Sequence, residues 1–125
     1  MLILPIKKKW FDMILSGEKK EEYREINPYY KSRLERCFGV IEYHGKYINA
    51  FEENPEREII FRNGYSKNSP SFIANCTLSV GTGKEKWGAE PGRRYFVLTV
   101  KEMQKQPYRK KNGKMSEEKV KNGKI

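Results

Sequence analysis

Eight consecutive residues, Gly17-Glu18-Lys19-Lys20-Glu21-Glu22-Tyr23-Arg24, hold three cations, three carboxylates, one aromatic ring and one glycine. Their spacing, G-x-K-x-x-E-x-R, sets Lys19, Glu22 and Arg24 within a few residues of a backbone break at Gly17. As a strand from Lys20, this segment puts Glu22 and Arg24 on one face with Ile26, and Glu21, Tyr23 and Glu25 on the other. Lys19, in the turn, can bend toward the Glu22/Arg24 face. Such a cation–carboxylate–cation cluster can hold an anionic or hydrogen-bonding ligand, with Glu22 limiting the repulsion between Lys19 and Arg24. It can also do chemistry: Glu22 as a general base toward water, Lys19 stabilising an oxyanion. The competing reading is a solvated helix surface, because Lys, Glu and Arg are good helix formers. Against it, Glu18/Glu22 and Lys20/Arg24 are like-charge i,i+4 pairs, and Gly17 stands where a helix C-cap glycine ends the preceding segment. A third reading is an internal ion cluster tying the first helix to the sheet, although buried ion pairs add little net stability.

The elements that must position this cluster follow from periodicity. Leu2 to Ile6 reads as a first strand, with Pro5 at an edge or strand end. Ile6, Trp10, Met13 and Ile14 recur at helical spacing up to Gly17, with Trp10 assigned to the core. Asn27-Pro28 is an N-cap and N1 pair opening a second helix through Tyr30, Leu34, Cys37 and Phe38 to Gly39, basic on its exposed side through Lys31, Arg33 and Arg36. His44-Gly45 joins two short strands, and the acidic loop from Glu52 to Glu58 is expected to be mobile. Glu58 to Arg62 is strand-like and ends in the Asn63-Gly64 turn signal before Tyr65. Phe72, Ala74, Cys76, Leu78 and Val80 alternate with polar residues through a long strand, and Arg94 to Val100 forms the last one. Gly81-Thr82-Gly83-Lys84 lacks the spacer and the following Ser/Thr of a phosphate loop and reads as a glycine turn. The fold class is α+β: two short N-terminal helices and a small open β-barrel of mostly antiparallel strands.

At 125 residues the chain is long enough for one core. No apolar run approaches membrane-spanning length and no signal-peptide pattern opens the sequence, so a cytoplasmic location and no membrane partner are expected. Cys37 and Cys76 occupy apolar positions and read as two buried thiols; His44 has no second His or Cys nearby. No metal or cofactor is expected. The net charge is +10, of which +6 lies in residues 104–125, where eight cations oppose Glu117 and Glu118. This basic C-terminal tail is either a polyanion contact or an ordinary solvated terminus.

The octapeptide resembles the signature of the ASCH family, small domains of the PUA-like superfold associated with RNA and modified nucleosides. Phe61-Arg62-Asn63-Gly64-Tyr65 and Lys86-Trp87-Gly88 also look like segments of bacterial and phage ASCH proteins. The resemblance spans residues 1–103. It implies a charged cleft in which Gly17, Lys19, Glu22, Tyr23, Arg24, Arg62, Asn63, Tyr65 and Trp87 meet RNA or a nucleotide, with Tyr23, Tyr65 and Trp87 as stacking candidates. It also implies two catalytic alternatives, a ribonuclease and an N4-acetylcytidine amidohydrolase, for which Lys19 and Glu22 are the candidate catalytic residues. The amidohydrolases use the motif lysine, a motif threonine as nucleophile and a glutamate elsewhere. Here Glu22 stands at the threonine position, and a carboxylate does not replace an activated alkoxide. The residues favour binding over acetylcytidine hydrolysis.

Overall fold

A computed structural model describes residues 1–103 and the backbone of two short paired strands, Lys110–Lys111 and Lys114–Met115. The expected role of the rest of the 104–125 tail lies outside the described residues.

The chain runs β1 (Leu2–Pro5), α1 (Lys8–Leu15), β2 (Glu21–Arg24), α2 (Pro28–Phe38), β3 (Ile41–Tyr43), β4 (Lys46–Ile48), β5 (Arg57–Arg62), β6 (Ser71–Thr82) and β7 (Arg94–Met103). Local chemistry explains the helix limits. Asn27 accepts a hydrogen bond from the Tyr30 N–H, and Pro28 in the first turn has no N–H to leave unpaired, so α2 starts with one orphan donor capped and another removed. Gly39 ends it in the left-handed region at φ 65°. The chain leaves α1 through Gly17 at φ 89°, while the Lys19 N–H closes back on the Met13 carbonyl. That closure turns Lys19 out of the helix and toward β2. His44 and Gly45, both at positive φ, make the tight turn joining β3 to β4, as the sequence predicts.

Five strands form one sheet in the order β1-β5-β6-β7-β2. Three of its ladders are antiparallel, but β1 runs parallel to β5, with Leu2 opposite Ile59 and Pro5 opposite Arg62. The sheet is therefore mixed and curls into a half-barrel; the α+β class and the predominance of antiparallel pairing agree with the sequence reading, whereas the barrel is only partly closed and the β1–β5 ladder is parallel. A register shift between Asn75 and Cys76 sharpens the bend of β6. The half-barrel does not close on itself: β1 and β2 are its two free edges.

The concave side holds the core. Phe11 and Ile14 from α1, and Leu34 and Phe38 from α2, pack against Leu4, Ile59, Phe61, Phe72, Ala74, Phe96 and Leu98 from the sheet. The alternation read along β6 holds at Phe72, Ala74 and Cys76, which are fully buried, and relaxes at Leu78 and Val80. Both cysteines are free thiols, Cys76 buried and Cys37, contrary to expectation, only half-buried. Burial pushes the Cys76 thiol up to about 12. No helix among the described residues is long and apolar enough to cross a membrane.

Candidate functional site at the open seam

The two free edges meet through one side chain. Arg24, the last residue of β2, donates from its guanidinium to the Pro5 carbonyl of β1 at 2.8 Å. It also donates to the Tyr30 hydroxyl at 3.1 Å, and to Glu22 Oε2 from Nε at 3.1 Å and from Nη2 at 2.7 Å. A planar donor fork thus bridges a seam that no backbone ladder closes. Burial pulls the guanidinium down, and the Glu22 carboxylate with the Tyr30 hydroxyl outweighs it, so the group is held above its ordinary value.

Glu22 lies opposite Leu98 and Arg24 opposite Phe96, on the concave side, as the alternation predicts; the strand stops before Ile26, which is exposed. Glu22 is 7 % exposed and sits between two cations: Arg24 on Oε2 and, at 3.3 Å from Oε1, the Lys19 ammonium. Lys19 is only 1 % exposed. Its ammonium donates to the Trp87 carbonyl at 2.5 Å and lies 4.9 Å from the Trp10 ring and 4.8 Å from the Tyr23 ring. Desolvation lowers the Lys19 pKa, and the Glu22 carboxylate opposes that shift. Two aromatic faces, a carbonyl and a carboxylate together replace the water that a buried ammonium loses.

Tyr23 closes the outer side of this cage. Its hydroxyl donates to Glu21 and accepts the Lys84 N–H, and burial drives its pKa upward. Gly83 makes the close approach possible: a Cβ there would lie 2.5 Å from the Tyr23 ring and 2.8 Å from the Ala89 methyl. Gly83→Ala is expected to displace Tyr23 and to cost about 1–3 kcal/mol by overpacking, measured by denaturant unfolding. The expected glycine turn is thus a strand end, since β6 runs through Gly81 and Thr82 and yields to the tyrosine at Gly83.

A cleft of about 570 Å³ opens along the seam, lined on one side by Pro5, Ile6 and Lys7 and on the other by Glu22 to Glu25, with Trp10, Tyr30 and Asn63 to Tyr65. Asn63 fixes one wall, its side-chain amide donating to the Ile6 carbonyl and its N–H to Pro70. Gly64, at φ 126°, turns the loop so that Tyr65 projects at the mouth with 88 % of its surface exposed.

Of the residues singled out from sequence, Glu22, Tyr23, Arg24, Asn63 and Tyr65 share this cleft. Lys19 lies behind it, sealed from solvent, and Gly17 acts only as the helix terminator. Trp87, expected to stack on a base, is instead buried at 7 % exposure; it serves through its carbonyl, and Lys84 and Lys86 lie over its ring. Arg62 is outside the cleft lining, and its Nε is buried with no hydrogen-bond partner among the described residues. Sequence reasoning missed Trp10 and Tyr30, both assigned to apolar helix faces. The signal at Tyr30 is its polar handle, since a part-buried tyrosine hydroxyl needs a partner, here Arg24; Trp10 takes part through its ring, which the Lys19 ammonium faces. Among the described residues no group of three or more His, Cys, Asp or Glu is placed to hold a metal ion.

The site's chemistry follows from its charge. Lys19, Glu22 and Arg24 form a nearly buried cluster with one cation in excess, and Glu22 Oε1 carries a lone pair beyond the one facing Lys19. The cluster suits a ligand offering an N–H or O–H to the carboxylate and an electron-rich group to the guanidinium edge. No family model matches the chain, and no curated protein or solved structure matches it.

Proposed function

We propose that the chain is an ASCH-like domain of PUA type whose seam cleft binds a nucleoside, either free or as part of RNA. The observation that carries the reading is the placement of Glu22 and Arg24, both nearly buried, on the wall of a cleft whose mouth presents the exposed ring of Tyr65. A carboxylate accepting from an exocyclic amine and an arginine edge donating to a base carbonyl or phosphate are ordinary base-reading contacts. An exposed tyrosine supplies a stacking face worth ~1–3 kcal/mol per base. The complete G-x-K-x-x-E-x-R motif from Gly17 to Arg24 supports the family assignment, as does a curled sheet with two helices.

Binding is favoured over hydrolysis by the surroundings of Lys19. Its ammonium is enclosed by Trp10, Tyr23, Glu22 and the Trp87 carbonyl, and it does not line the cleft. An amine so enclosed is positioned to hold Glu22, not to meet a scissile bond. The test compares wild type, Lys19→Met and Tyr65→Ala on N4-acetylcytidine and on a short unstructured RNA. Tyr65→Ala should weaken RNA binding by ~1–3 kcal/mol with unchanged stability. No variant should differ in turnover, because none is expected. Acetylcytidine turnover by wild type, lost by about 10²-fold or more in Lys19→Met, would overturn the binding reading.

A further inference from the structure

Helix α2 sorts its cations by partner. Lys31 pairs with Glu35 and with Glu42 of the β3–β4 hairpin, and Tyr47 bonds the same Glu35. Arg33 and Arg36, three residues apart and so neighbours on one helix face, have no carboxylate partner among the described residues. The helix dipole accounts for Arg36 in the last turn, but it does not favour Arg33 in mid-helix beside a like charge. Arg33 is held in place: its guanidinium stacks 3.5 Å from the centre of the exposed Tyr29 ring and donates to the Tyr29 carbonyl at 3.1 Å.

Both arginines line a second cavity of about 910 Å³ beside α2, and Arg57 of β5 lines it too. Arg57 is neutralised by Glu52 at 2.8 Å, and its sequence neighbours Glu56 and Glu58 also line the cavity. Among the described residues, Arg33 and Arg36 are therefore the lining arginines without a carboxylate partner. Tyr30 lines the seam cleft and Cys37 lines this cavity, so one helix carries both sites. Their separation along it is about 10 Å at 1.5 Å per residue. That is room for about three stacked nucleotides at about 3.4 Å each.

We propose that the Tyr29–Arg33–Arg36 face of α2, with the cavity beside it, binds the phosphates of a single-stranded nucleic acid whose base occupies the seam cleft. The proposal rests on the cleft reading above and deepens it: the ligand is a strand, not a free nucleoside. Arg33 supplies a pre-set planar fork for phosphate, Tyr29 a ring at its back, and Arg36 the next contact toward the cavity.

The test measures binding of a single-stranded RNA of about eight nucleotides, and of a free nucleoside, to wild type, Arg33→Gln/Arg36→Gln and Tyr65→Ala. In the double arginine variant, RNA affinity should fall about tenfold or more and the log–log salt slope should shrink by roughly 1.4, two phosphate contacts at about 0.7 each. Nucleoside affinity and the melting temperature should stay unchanged. Unaltered RNA affinity and slope would overturn the proposal. Equal weakening toward an acidic peptide of matched charge would overturn it too, leaving an unselective polyanion surface. Weakening by the arginine variant with no effect of Tyr65→Ala would support the phosphate surface and reject the cleft reading alone.

Discussion

Glu22→Leu is expected to destabilise the fold by about 3–5 kcal/mol, the cost of breaking a buried charge pair by removing one partner. The reason is geometric. Glu22 is the sole carboxylate between the Lys19 ammonium at 3.3 Å and the Arg24 guanidinium at 2.7 Å, and all three side chains are nearly buried. Without it two cations face each other in a poorly hydrated seam, and the Arg24 fork loses two of its four hydrogen bonds. Equilibrium denaturation reads the loss. Lys19→Met in the Glu22→Leu background should recover part of it, because the second change removes the stranded charge; double-mutant analysis should therefore show strong non-additivity. Additive losses would mean that Lys19 and Glu22 do not act as a pair.

Arg24→Gln has the second-largest expected effect, and it acts on the seam. A glutamine side chain is too short and too poor in donors to reach Glu22, Tyr30 and Pro5 together. The expected cost is about 2–4 kcal/mol, the scale of one charge-assisted contact plus an unsatisfied carboxylate. Its distribution matters more than its size. Amide exchange should rise along β1 and β2, the two free edges, while the β5–β6–β7 centre keeps its protection. Arg24→Lys should not rescue this, since a single ammonium cannot span three acceptors in one plane. Uniform loss of protection across the sheet would show that Arg24 is not the seam's local bridge.

Much of this seam is written locally. The i,i+2 spacing of Glu22 and Arg24 fixes their common face once Gly17 and the Asn27-Pro28 cap bound the strand. The same holds for the β3–β4 turn at His44-Gly45 and the alternation through Phe72, Ala74 and Cys76. What was not legible depends on partners distant in sequence. The parallel ladder of β1 with β5 joins residues more than fifty positions apart, and nothing in either segment announces its direction. The burial of Lys19 runs against the default for its residue type and exists only because Trp10, Tyr23 and Trp87 converge from three elements. Trp87 shows a further limit: the sequence identifies a ring, whereas the fold uses the carbonyl. Gly83 reads as a turn residue, yet its missing side chain is what lets Tyr23 lie over the ammonium.

On the reading proposed above, the seam cleft receives a base. Amide chemical-shift mapping during titration with a nucleoside, and then with a short single-stranded RNA, reads that occupancy residue by residue. The largest shifts should fall at Glu22 to Glu25 and Asn63 to Tyr65, and RNA should add shifts at Arg33 and Arg36. Binding that leaves Glu22 to Glu25 and Asn63 to Tyr65 unmoved, or no shifts with either ligand at millimolar concentration, would contradict it.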